Sequence, residues 1–108
     1  MKLTLCGSAR FEKLFHEWNE KLTLAGHVVY SLGIYPSSKD GNKNWYTPEQ
    51  KTRLDQVHLM KILNSDGIVV VTDDTGYVGE STKNEIAWAT LNDKHIFYND
   101  DDSGLTGS

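Results

Sequence analysis

Ile68-Val69-Val70-Val71-Thr72-Asp73-Asp74-Thr75-Gly76-Tyr77-Val78-Gly79-Glu80-Ser81-Thr82-Lys83-Asn84-Glu85-Ile86-Ala87-Trp88-Ala89 is the stretch that decides how this chain folds. Its first four residues have the unbroken hydrophobicity of a strand covered on both faces. The strand empties into a loop carrying Gly76 and Gly79, and a helix follows. A strand handing over to a helix in this way is the building unit of an α/β sheet. The start of such a helix exposes backbone N–H groups, which attract phosphate or another anion. A glutamate held there is expected to stay ionised, because the helix dipole favours negative charge.

The same alternation extends outward from this segment. Thr47-Pro48-Glu49-Gln50 supplies an N-cap, a proline at the first helical position and a capping-box glutamine, so a helix starts there and runs to about residue 64. Residues 31–47, with Gly33, Pro36 and Gly41, form a loop long enough to be functional or mobile. Phe11, Leu14, Phe15, Trp18 and Leu22 recur at helical spacing, predicting a first helix that stops near Ala25-Gly26 with Gly26 as its cap. Strands are expected at residues 3–6, 27–30, 67–72 and 96–98, and a third helix at about 82–91. The order predicts a three-layer α/β fold of flavodoxin or Rossmann type: a parallel sheet of about four strands in order 2-1-3-4, with helices on both faces. Ligands on such sheets bind outside the carboxyl ends of the strands, at the switch point between the first and third. That rule brings together residues 7–10, the long loop and residues 73–85.

The chain has 108 residues, read as one domain over 1–99 and a flexible acidic then Gly/Ser-rich tail over 100–108. With 38% hydrophobic and 24% charged residues it is expected to be globular and not disordered. Net charge is −4 with no block of Lys or Arg, which argues against polymeric nucleic acid as a partner. No apolar run approaches the ~18–20 residues of a membrane span, and the N-terminus is too short for a signal segment, so a cytoplasmic location off the membrane is expected. The single cysteine rules out an internal disulfide and fits a reducing compartment. An exposed last strand and abundant Trp and Tyr favour a homodimer or higher homo-oligomer.

Several residues can carry chemistry. In Cys6-Gly7-Ser8-Ala9-Arg10, Gly7 lets the backbone approach a ligand, Ser8 offers a hydroxyl, and Arg10 offers a fork matched to phosphate. The plainer reading is a tight turn with Ser8 as a cap and Arg10 solvated. Gly79, Glu80, Ser81 and Thr82 border the expected anion site, with Glu80 either a second functional carboxylate or a charge that suits a helix start. Thr82 and Glu85 also fit a capping box, in which Glu85 would serve its own backbone. Asp73 and Asp74 sit at the ligand end of a strand. His58, among Leu54, Val57 and Ile62, is either structural or an active-site contact. Trp45 and Tyr46 can stack on a base or close a lid. His16, His27 and His95 have no metal-ligand spacing with one another or with Cys6, so neither a metal nor a cofactor is expected. Cys6, at the end of a buried strand, is not expected to be a nucleophile.

On these residues the chain resembles the nucleoside 2-deoxyribosyltransferase superfamily, in the branch that includes the 2'-deoxynucleoside 5'-phosphate N-hydrolases. Cys6-Gly7-Ser8-Ala9-Arg10 is similar to that branch's Cys-Gly-Ser-x-Arg loop, which contacts the sugar phosphate. Asn84-Glu85-Ile86-Ala87-Trp88-Ala89 resembles the x-Glu-Leu-Gly-x-Ala segment whose glutamate attacks the anomeric carbon. Ser65-Asp66-Gly67-Ile68-Val69-Val70-Val71 resembles the Ala-Asp-x-Val-Val strand before it. A set of small, mostly uncharacterised bacterial proteins shares Gly-Tyr-x-Gly-Glu-Ser-Thr-x-x-Glu. Ser81-Thr82-Lys83-Asn84-Glu85 is more distantly similar to the Gly-Thr-x-x-Glu of cytokinin-activating phosphoribohydrolases. Two positions depart: His58 stands where the hydrolases' supporting aspartate falls, and Ala87 replaces a glycine. The resemblance implies cleavage or transfer of the N-glycosidic bond of a small nucleoside or nucleoside 5'-monophosphate, without a cofactor. Glu85 would be the nucleophile, Ser8, Arg10 and the N–H groups around Ser81 and Thr82 would hold phosphate, and His58 or Asp73 would protonate the leaving base. Beside it stands a second reading, a module of the same fold that binds a nucleotide-derived ligand without turning it over.

Overall fold

The structure is a computed structural model that describes residues 1–35, 46–100 and Leu105. Its strands are β1 (Lys2–Gly7), β2 (Val28–Tyr30), β3 (Gly67–Val71) and β4 (His95–Tyr98). They pair in parallel in the order β2-β1-β3-β4, as the sequence predicts. The helices are α1 (Glu12–Leu24), α2 (Pro48–Leu63) and α3 (Glu80–Leu91), with a single 3-10 turn, Ala9–Phe11, ahead of α1.

Strand alternation assigns the two faces of the sheet. Leu3, Leu5, Val69 and Val71 point to one side, where Phe15, Trp18 and Leu22 of α1 cover them. Cys6, Ile68 and Val70 point to the other, against Ile62 of α2 and Ala89 of α3. Every residue of β3 is buried, which accounts for its uninterrupted hydrophobicity. Thr4 faces the α2 side, where its hydroxyl hydrogen-bonds to that of Ser65, and Ser65 in turn donates to the Lys61 carbonyl at 2.7 Å. The buried hydroxyls are therefore satisfied while they tie the end of α2 to β1.

Chain direction changes side between β1 and β3, so the crevice opens at the carboxyl ends of those two strands. There Gly7 pairs with Val71, with φ at +152°, and a Cβ at position 7 would collide with the Val71 carbonyl oxygen. Only glycine fits there. At the far end of α1, Gly26 takes φ +97° and turns the chain into β2, as expected of a helix-ending glycine.

Most boundaries fall within two residues of those expected, but one shift matters. The third helix begins at Glu80 with Gly79 as N-cap, a half-turn earlier than Thr82. Residues 36–45, which include Trp45, lie outside the described residues, as does the tail apart from Asp100 and Leu105. Leu105 is buried in the α1-side core, and its carbonyl accepts a hydrogen bond from His27 Nε2 at 2.6 Å.

Candidate active site

A cavity of about 440 Å³ lies over the crevice. That volume suits a small-molecule ligand, for which pockets run ~300–1,000 Å³. Four segments supply its walls, one of them Leu32, Gly33 and Ile34 after β2. Gly7, Ser8 and Ala9 come from the end of β1, and Leu54, Val57, His58 and Lys61 from α2. Tyr77, Gly79, Glu80, Ser81, Thr82 and Glu85 come from the loop after β3 and the start of α3. Thr72 donates from its hydroxyl to the Tyr77 carbonyl at 2.8 Å, which fastens that loop to the end of the sheet.

The earlier start of α3 changes what Glu85 does. Counting from Glu80, it is the sixth helical residue, in the second turn and out of reach of a capping box with Thr82. No side chain caps the helix at Gly79, so the first-turn N–H groups of Glu80, Ser81 and Thr82 are left to the pocket. Glu85 instead turns inward. Its Oε1 lies 3.5 Å from His58 Nε2, is itself buried, and has no hydrogen-bond partner among the described residues. His58 Nε2 is also 3.4 Å from the Cys6 sulfur. The Trp88 indole N–H donates to the Leu59 carbonyl at 3.3 Å and locks α3 to α2 one residue from this cluster.

Burial dominates the electrostatics. It pushes the Glu85 carboxyl up to about 7 and, with Lys61 acting in the same direction, pushes His58 down to about 4. Desolvation also raises the Cys6 thiol well above its ordinary value, and Glu85 adds to that effect. Each group is driven toward its neutral form. Both shifts work against a charged His58–Glu85 ion pair, leaving the imidazole neutral and the carboxyl only partly ionised near pH 7. Burial thus opposes the ionisation expected from the helix dipole. The dipole fades beyond the first turn, whereas burial acts on the carboxyl itself.

Other expected residues separate into those at the pocket and those away from it. Gly7, Ser8, Gly79, Glu80, Ser81, Thr82, His58, Glu85 and Tyr46 line it; Arg10 and Asp73 do not. The Arg10 guanidinium lies over the Tyr77 ring, 4.1 Å from its centroid, so an aromatic face on the loop holds the group expected to grip phosphate. Asp73 accepts from the backbone N–H and hydroxyl of Thr75, closing its own turn. Glu80 borders the cavity too, while its side chain is 88% exposed and reaches toward Lys83 at 4.0 Å, as suits a charge at a helix start. Ser8 both caps the 3-10 turn, accepting from the Arg10 N–H at 3.3 Å, and faces the cavity.

The sequence reading missed the cations of α2. Lys51, Arg53 and Lys61 all border the cavity. Lys51 is paired with Asp55 at 2.7 Å, and Lys61 donates to the Ser31 carbonyl at 2.7 Å. Their spacing along one helix was the available signal, but nothing in the sequence said which face of α2 met the crevice. The meeting of Cys6 with His58 and Glu85 was also missed, because the three residues come from three separate elements.

No protein-family profile matches the chain, and no curated protein matches it in sequence. Solved structures do share its fold. The CMP N-glycosidase of Clostridium botulinum is 21% identical with a TM-score of 0.59, over 91% of this chain and 70% of that one. A 2-deoxyribosyltransferase from Bacillus psychrosaccharolyticus is 20% identical with a TM-score of 0.64, over 91% of this chain and 71% of that one. At such identity the likeness establishes the α/β architecture.

Proposed function

We propose that this chain cleaves or exchanges the N-glycosidic bond of a nucleoside or nucleoside 5'-monophosphate, with Glu85 as nucleophile. The observation that carries the reading is the Glu85 carboxyl, turned into the pocket below the uncapped start of α3 and touching His58. The motif resemblance and the shared fold with an N-glycosidase and a deoxyribosyltransferase support it. Transfer of activity on fold alone is weak, so the weight rests on the site.

In the proposed reaction the ionised carboxylate attacks C1' of the sugar. A C–O bond forms as the C1'–N bond breaks, and its electron pair leaves with the base, which takes a proton from water. Water then attacks C1', the ester opens, and Glu85 regains its charge; the nitrogen of a second base in place of water gives transfer. Neutral His58, with Nε2 3.5 Å from Oε1, packs against the carboxylate and holds its position. The N–H groups of the first turn of α3, with Ser8, Ser81 and Thr82, hold the phosphate and supply binding energy remote from the reacting carbon. Glu85→Gln is the direct test. Nucleosides and nucleotides are incubated with each protein and free base is separated and measured. Release by wild type and not by the variant is the expected result; no release from a broad panel, or equal release by both, defeats the proposal.

One observation favours the second reading, a binding module without turnover: burial keeps much of Glu85 protonated up to about pH 7. That reading expects a nucleotide to raise the melting temperature with no base released, even at pH 8–9 where the carboxylate is formed.

A further inference from the structure

Cys6, His58 and Glu85 meet from β1, α2 and α3, and the glycosidic reading has no use for the cysteine sulfur. The Cys6 sulfur is 3.4 Å from His58 Nε2, His58 Nε2 is 3.5 Å from Glu85 Oε1, and the three donor atoms all lie within 4.8 Å of one another. Tetrahedral zinc bonds its ligands at ~2.0–2.3 Å, which spaces neighbouring donors by roughly 3.3–3.8 Å. Two edges of the triangle already have that length. Cys6 is fully buried, His58 is 5% exposed, and Glu85 Oε1 is a buried acceptor without a donor among the described residues. A buried acceptor left in that state calls for an explanation.

We propose that Cys6, His58 and Glu85 form a three-ligand site for a borderline-soft divalent cation of the zinc class, with a fourth position open to the pocket. One sulfur, one imidazole nitrogen and one carboxylate oxygen is a zinc-type donor set, whereas magnesium and calcium take oxygen ligands. As the ion binds, the thiol proton passes to solvent, as does any proton on Glu85, and metal–sulfur, metal–nitrogen and metal–oxygen bonds form. The two positive charges then balance one thiolate and one carboxylate, so the buried cluster is neutral. The assignment stands on the donor geometry and does not depend on the glycosidic reading. It does set the two uses of Glu85 against each other, since a coordinated carboxylate is not free to attack carbon.

Cobalt(II) is the probe, titrated into untagged, chelator-stripped, reduced protein. The expected result is a near-ultraviolet thiolate-to-cobalt band that saturates at one ion per chain and is displaced by Zn²⁺. Cys6→Ser is expected to lose the band, and Glu85→Gln to weaken Zn²⁺ binding at least tenfold. No band in the wild type, a band retained in Cys6→Ser, or unchanged affinity in Glu85→Gln would overturn the site. If Cys6→Ser does not fold, as judged by circular dichroism, Cys6→Ala and Glu85→Gln decide it. Base release measured in chelator tests the glycosidic proposal separately, so the two ideas fail independently.

Discussion

Helices α2 and α3 both begin at the rim of the pocket, and they treat their first-turn N–H groups in opposite ways. At α2 the Thr47 hydroxyl accepts from the Gln50 N–H at 3.1 Å, and the Gln50 side chain accepts from the Thr47 N–H at 2.8 Å. Proline at the next position has no N–H to satisfy. That start is complete in itself. At α3 the cap is Gly79, which has no side chain to offer, and the glutamate that might have folded back lies a turn further on, facing His58. The difference shows how a small domain divides its backbone polarity: one helix start is closed for stability, and the other is left open where a ligand can complete it.

The strongest way to break this contrast is at Glu85. If the open start presents substrate to that carboxylate, Glu85→Gln lowers base release by roughly 10³-fold or more, read by chromatography at pH 8. Wild-type release is also expected to climb as pH rises through about 7, as the buried carboxyl ionises.

Stability gives the next effect, of opposite sign. Glu85 is raised from 4.5 to about 7. The folded state therefore holds the proton more tightly than the unfolded chain, and this contribution is lost as pH rises from about 4.5 through about 7. Glu85→Gln carries no such loss. It should melt higher than wild type at pH 8 and nearly equally at pH 5, by up to about 3 kcal/mol at ~1.4 kcal/mol per pH unit. Thermal melts of both proteins in chelator check it. His58, lowered to about 4, acts the other way below pH 6.5, but it is common to both and cancels in the difference.

A milder change sharpens the comparison by giving α3 the cap it lacks. In Gly79→Asp the new Cβ would meet the Tyr77 side chain, its hydroxyl at 3.2 Å and ring carbons at 3.7 and 3.8 Å, and the carboxylate would occupy the N–H groups. Nucleoside 5'-monophosphate affinity should fall about tenfold, nucleoside affinity should hold, and stability should change by less than about 1 kcal/mol. Isothermal titration with each ligand separates these outcomes. The smallest effect is at the closed start: Thr47→Ala should cost about 1 kcal/mol in denaturant unfolding and leave ligand affinity unchanged.

Strand order and the two-faced core were legible because hydrophobic spacing and the Thr47-Pro48-Glu49-Gln50 signal are local, and α/β topology leaves few arrangements. The site was legible in its loops and not in its contacts. Thr82 and Glu85 have capping-box spacing, but a helix start set two residues earlier by Gly79 carried the glutamate past its cap and into the pocket. Arg10 was readable as a phosphate ligand until the Tyr77 ring, a residue distant in sequence, claimed it. The Cys6–His58–Glu85 meeting depends on the rotational phase of two helices against one strand. No single stretch of sequence encodes that.

The tight pairing of Gly7 with Val71 has a consequence for how this cavity can change. With no side chain admitted between the two strand ends, that side of the cavity is main chain and does not tolerate substitution at position 7. Variation in what enters is then left to the other lining side chains, among them Leu54, Val57 and Lys61 of α2. Anyone wishing to retune what enters should rewrite those α2 positions and leave Gly7 alone.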